Sequence, residues 1–115
     1  HTYVAADIAD AQQAAEEINS FYCNCGARFK NERQVSQGRI EPLTAQDIAA
    51  HPFYTAEAML RDNVIASPSD AIARIKTYAD MGYDEYSFWI DSGMSFERKK
   101  ASLLRFINDV MPAFA

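Results

Sequence analysis

At 115 residues the chain has room for one hydrophobic core and cannot hold two large domains. Hydrophobic residues make up 49% of it and aromatics 12%, with only 4 Gly and 4 Pro, which excludes a disordered, collagen-like or disulfide-scaffold chain. A formal net charge of −5, from 11 basic against 16 acidic side chains, excludes a broad basic footprint for nucleic acid, and no uncharged run approaches the ~18 apolar residues of a membrane span.

Thr2 to Ala6 is a short β-prone run. From Asp7 the apolar positions Ala11, Ala14, Ala15, Ile18, Phe21, Tyr22 and Cys25 recur at spacings of three and four, which predicts an amphipathic helix capped by Asp7 or Asp10 and stopped at Gly26. The opening residues carry acids and no apolar h-region, so they do not read as a signal peptide. Cys23 and Cys25 lie two apart on this helix and diverge by about 200°, so they cannot pair without distortion. Neither His1 nor His51 completes a zinc spacing with them. They read as buried free thiols of a reducing, cytoplasmic compartment, and their spacing speaks against a thiol redox protein.

Residues 27–43 lose periodicity, contain Gly38 and Pro42, and read as a surface connection. Thr44 and Asp47 open a short helix ended by Pro52, and Thr55 opens another before Asn63. Val64 to Ala66 suits a strand buried on both faces. Ser67-Pro68-Ser69-Asp70 then gives a cap, a proline in the first helical turn and an acid three residues after the cap. Ala71, Ile72, Ile75, Tyr78 and Ala79 supply the buried stripe of that helix, and Gly82 ends it.

Glu85 to Ile90 reads as the best strand of the chain, aromatic-rich and suited to a central, buried place that includes Trp89. Asp91-Ser92-Gly93 turns out of it. Ser95 caps a last helix with Leu103, Leu104, Phe106, Ile107, Val110 and Met111 as its buried positions. Arg98, Lys99 and Lys100, beside Glu97, read as a solvated face of that helix. Strand, helix, strand, helix in this order implies right-handed crossovers and a parallel sheet.

The stretch from Val64 to Phe114 resembles the carboxyl-terminal end of the bacterial luciferase-like, flavin-dependent monooxygenase family. The resemblance rests on Ser67, Pro68 and Asp70 at the strand-to-helix turn, Gly82 and Asp84 before the next strand, Asp91 and Gly93 after it, and Val110, Met111 and Pro112 at the end. Thr2 to Ala15 resembles an earlier strand and Ala-rich helix of the same family. The resemblance implies an α/β fold: a partial (β/α) barrel of about three parallel strands with flanking helices. Residues 1–115 would then be a single domain corresponding to the carboxyl-terminal portion of an eight-stranded barrel of about 250 residues or more.

It also implies a parent enzyme that oxidises a small organic substrate with reduced flavin mononucleotide (FMN) and dioxygen, chemistry carried mainly by the cofactor. Most flavin-binding residues of the family lie upstream, so the chain alone is expected to be inactive, with no tightly bound flavin and no metal. The positions left for a cofactor or substrate mouth at the carboxyl ends of the strands are Ser67, Trp89, Asp91, Ser92 and Met94. None is assigned as catalytic. Each also has a structural reading: Ser67 as an N-cap, Asp91 as a turn cap, Trp89 as a core aromatic. Open sheet edges lead to the expectation of a homo-oligomer, a dimer or higher even state. The alternative from another class is a stand-alone small α/β interaction protein that self-associates without catalysis.

Overall fold

The computed structural model describes residues 1–25 and 33–115, together with the backbone of residues 26–29. Strand β1 (Thr2–Val4) leads into the long helix α1 (Ile8–Phe29), and a small hairpin of β2 (Val35–Ser36) and β3 (Arg39–Ile40) follows. Helices α2 (Ala45–Ala49) and α3 (Ala56–Asp62) precede β4 (Val64–Ala66), which passes into α4 (Pro68–Asp80). An extended segment then reaches α5 (Phe96–Arg105), continued by a π turn (Phe106–Val110) and a 3-10 turn (Met111–Phe114).

β1 and β4 pair in parallel with Thr2 opposite Val64, Tyr3 opposite Ile65 and Val4 opposite Ala66. All six residues are buried, as the apolar run at 64–66 predicts for a strand covered on both faces. On one face Tyr3, Ala5 and Ile65 pack with Ala14, Ala15 and Ile18 of α1, Ala58 and Met59 of α3, and Met94. On the other, Val4, Val64 and Ala66 pack with Ala71 and Ile75 of α4 and with Phe106 and Val110. Helices thus cover both faces of a mixed α/β unit, with no closed barrel among the described residues.

Short-range chemistry fixes the helix starts. Asp7 Oδ1 accepts from Asp10 N–H at 2.8 Å, so Asp7 is the cap of α1. Thr44 and Asp47 form a complete capping box on α2, and the Thr55 and Ser95 hydroxyls accept from Ala58 and Arg98 N–H. Ser67 Oγ accepts from Asp70 N–H at 3.3 Å and donates to Asp70 Oδ2 at 2.9 Å. Ser67→Ala is expected to lower stability by about 1 kcal/mol, read as a lower denaturation midpoint at unchanged slope. An unchanged midpoint would contradict the cap's contribution.

Several expectations are corrected. Glycine at 26 does not stop α1, which continues to Phe29. Part of the 27–43 connection is a hairpin, turned by Gln37 and Gly38 at φ 51° and 74°, the left-handed pair that a two-residue turn requires. Residues 30–32 of that connection lie outside the described residues. Of the last helix's expected stripe, Phe106 and Val110 are buried, whereas Leu104, Ile107 and Met111 are exposed.

The largest correction concerns Glu85 to Ile90, which is not a ladder strand, so among the described residues the parallel sheet has two strands, not three. Along β1 the backbone groups of His1, Tyr3 and Ala5 face β4, with Val64 N–H on His1 O and Ala5 N–H on Ala66 O. Thr2 and Val4 therefore face the opposite edge. Thr2 N–H finds Trp89 O at 3.2 Å, but Val4 N–H is taken by Ser102 Oγ at 2.7 Å and Val4 C=O by Arg105 at 2.9 Å. Side chains of α5 occupy the edge along which a third strand would have to run. Trp89 is consequently 57% exposed and not a core residue.

No helix among the described residues is long and apolar enough to cross a membrane. The Cα radius of gyration is 16.0 Å, against about 13 Å for a compact chain of this length.

Candidate functional site

Four of the five candidate residues lie along one stretch, and three of them stand near the amino end of β1 or the core beside it. The Trp89 ring stacks on His1 with centroids 5.2 Å apart at 23°, and Phe21 of α1 meets both rings edge-on at 5.8 Å. Tyr22 adds a further edge to His1 at 5.1 Å. Ser92 is buried and shares a 2.5 Å hydrogen bond with His1 Nδ1, while Met94 is buried in the core between the sheet and α1. Asp91 is exposed and pairs with Lys99 at 2.7 Å.

Ser67 stands apart. At the carboxyl end of β4 its oxygen is occupied by Ser69 and Asp70, and no hydrogen bond or ring contact links it to the other four among the described residues. The expected single mouth is therefore divided between the two ends of a short sheet. His1 and Phe21 complete the aromatic group around Trp89, and no local spacing announced them, because Trp89 lies 68 or more residues away from each in the chain.

At the carboxyl end of β1 a polar network joins α1 to α5. Asp10 accepts from Ala6 N–H and from Tyr3 Oη, each at 2.9 Å, and pairs with Arg98 at 2.9 Å and Arg105 at 3.6 Å. Arg98 also reaches Glu17 at 3.2 Å and lies over the Tyr3 ring at 5.3 Å. Burial works to raise the Asp10 pKa, but the hydrogen bonds from Ala6 and Tyr3 and the two guanidinium charges prevail and hold it below the ordinary carboxylate value. Burial, with the Asp10 hydrogen bond, pushes Tyr3 up to about 12, so this phenol stays a donor. Arg98 is thus no solvated side chain, contrary to its reading as part of a basic surface cluster, and Lys99 is likewise engaged by Asp91.

The cysteines are free and half-buried, with burial raising the Cys23 thiol above its ordinary pKa. Among the described residues no three His, Cys, Asp or Glu side chains gather as a metal ligand set.

No family model and no solved structure matches the chain. A curated protein does: the oxygenase component of the flavin-dependent trigonelline monooxygenase of Acinetobacter baylyi is 64% identical over all 115 residues. This chain is a partial relative of a flavin-dependent monooxygenase. The resemblance to the luciferase-like flavin monooxygenases, carried in the sequence by Ser67-Pro68, Gly82 and the Asp91 turn, is borne out along the whole chain. The match covers 32% of the Acinetobacter protein, so the chain spans about a third of the length of this curated relative.

A flavin needs a flat apolar platform and donors for an anionic tail. In this monooxygenase relative the Trp89–His1 stack offers a flat surface at one end of the sheet. The amino terminus of α4 offers N–H groups at the other end, with Asp70 rather than a basic side chain bonded to its cap. Arg98 and Arg105 are held by Asp10, Glu17 and the Val4 carbonyl. The flat stack and the helix N–H groups thus stand at opposite ends of the sheet.

Proposed function

We propose that residues 1–115 form one unit corresponding to the carboxyl-terminal portion of a (β/α)8 flavin monooxygenase that uses reduced FMN and dioxygen to oxidise a small organic substrate. The observation that carries this reading is the 64% identity across the whole chain to the oxygenase component of a flavin-dependent monooxygenase. Trigonelline, the compound in that relative's name, is the first substrate to test. In this reading the flavin site is shared: Ser67 at one end of the sheet, and Trp89 and Ser92 at the other with Asp91 and Met94 beside them, contribute to it only together with polypeptide beyond the matched third. The free thiols fit a reducing cytoplasm.

Exposed apolar side chains support a partner surface: Phe96 is 69% exposed, and Trp89, Phe53 and Met81 are also open to solvent. Homo-oligomerisation, as a dimer or higher even state, covers such surface when the 115 residues are studied alone. The same exposure supports the second reading, a self-associating interaction protein without catalysis.

Titrating the purified chain with FMN separates a shared site from a self-sufficient one. The expected result is no saturable binding in the low micromolar range, in a sample whose light-scattering mass falls on dilution. Tight, stoichiometric binding of FMN by these 115 residues would overturn the shared-site reading.

A further inference from the structure

The chain exposes 7726 Å² to solvent, against about 6,300 Å² for a compact monomer of 12.9 kDa. The excess is larger than the roughly 800 Å² that each partner contributes to an interface of ordinary size.

Part of this surface is organised. Leu104, Ile107, Met111 and Phe114 follow one another at intervals of three, four and three residues along the end of α5, the π turn and the 3-10 turn, each 43% to 51% exposed. Every interval is close to one helical turn, so the four side chains form a single apolar stripe. Phe106 and Val110 of the same stretch point into the core beside Val4, and Arg105 is turned to Asp10 and the Val4 carbonyl. At either end the stripe meets an open groove. Leu104 lines one of about 520 Å³ with Ile90, Phe96 and Leu103, and Met111 and Phe114 line one of about 570 Å³ with Tyr78 and Tyr83. The grooves also carry charged side chains, Lys100 and the Lys99–Asp91 pair in the first and Asp84 and Glu85 in the second, whereas the stripe between them is apolar throughout.

A small ligand would fill one groove and leave the stripe bare. A second copy covers both, because the three-four-three spacing reads the same in either direction. A two-fold axis crossing the stripe between Ile107 and Met111 sets Ile107 against the partner's Met111 and Leu104 against the partner's Phe114, and so brings that phenylalanine to the groove beside Phe96. From the excess area and this self-matching spacing we infer that the outer face of α5 and its following turns is the interface between two copies of the chain. The inference rests on the homo-oligomer reading of the proposed function, to which it adds the face and the symmetry, and it is independent of flavin.

Sedimentation equilibrium of the 115-residue chain from high micromolar to nanomolar concentration is the test. A dimer that dissociates on dilution is expected, and Ile107→Glu and Met111→Glu are each expected to raise its dissociation constant about tenfold or more. The neutral change Met111→Gln is expected to weaken it about threefold, and Phe53→Ser, at an exposed ring between α2 and α3, to leave it unchanged. Both stripe positions are about half exposed, so an unchanged thermal midpoint of the dilute monomer serves as the control for folding. A dimer that ignores the three stripe variants, or one that Phe53→Ser weakens as much as they do, would overturn this face and leave the homo-oligomer reading standing. A folded monomer at every concentration would overturn both.

Discussion

Ile18→Ala is expected to destabilise the chain by about 3 kcal/mol, whereas Trp89→Ala is expected to cost about 1 kcal/mol. Ile18 is 1% exposed, and its cluster joins α1 to Tyr3 and Ile65 of the sheet and to Met59 of α3. Truncation removes transfer free energy and leaves a cavity that three separate elements would have to move to fill. For a domain of this size that is a large share of total stability. Trp89 is the larger side chain, but with 57% of its surface in water it has less to lose, mainly its stack on His1 and its edge contact with Phe21. Urea denaturation of the two variants checks the order, and free quenching of the single tryptophan by iodide checks the exposure. A larger loss for Trp89→Ala than for Ile18→Ala would mean that Glu85 to Ile90 is a core strand after all.

The second large effect is expected at Asp10. Its carboxylate is 16% exposed and serves Ala6 N–H, Tyr3 Oη and two arginines at once. Asp10→Ala leaves a phenol and a backbone N–H without their acceptor and Arg105 without its ion pair, a loss expected at about 2 kcal/mol. The pH dependence follows from the direction of the shift. The folded-state pKa of Asp10 lies below its ordinary value of 3.8, so its contribution is complete above that value and is lost as pH falls through the folded-state pKa. Asp47 acts in the same direction on the acid limb: hydrogen bonds from Thr44, then the contact with Arg33, lower it to about 2. Acid titration of stability in the Asp10→Ala variant is therefore expected to be shallower below pH 4, retaining the Asp47 part. An acid limb identical to that of the unmodified chain would contradict the role given to Asp10.

What the sequence disclosed and what it hid divide along the range of the interactions. Caps at Thr44, Thr55, Ser67 and Ser95 are satisfied within three residues, so residue type and spacing suffice to find them. The buried β4 strand and the Ala14, Ala15, Ile18 face of α1 follow from periodicity alone. Glu85 to Ile90 failed as a strand because strand formation needs a free edge, and Ser102 and Arg105, more than ten residues further on, hold the one beside β1. The Gln37-Gly38 turn was within reach of local reasoning, since a glycine in a two-residue loop between Val35-Ser36 and Arg39-Ile40 is a hairpin signal.

The candidate site was less legible still. Trp89, Ser92 and Met94 were named from their place at the end of a predicted strand, yet His1, which contacts two of these three, carries no neighbouring motif. Arg98 looked like one of three surface cations because its acidic partners, Asp10 and Glu17, are 81 or more residues away. The family was legible where the geometry was not: the resemblance rests on local marks at Ser67-Pro68, Gly82 and the Asp91 turn, and the chain is 64% identical over all 115 residues to a flavin-dependent monooxygenase component.

The most direct measurement is an exchange. The matched third of the Acinetobacter baylyi oxygenase component would be replaced by these 115 residues, and the chimera assayed for flavin binding and for flavin-dependent oxidation of trigonelline. The account predicts a folded chimera that binds reduced FMN and oxidises the substrate at a rate within about tenfold of the parent, as expected for a segment 64% identical to the one it replaces. A chimera that folds with an unchanged thermal midpoint but neither binds flavin nor turns over trigonelline would contradict it.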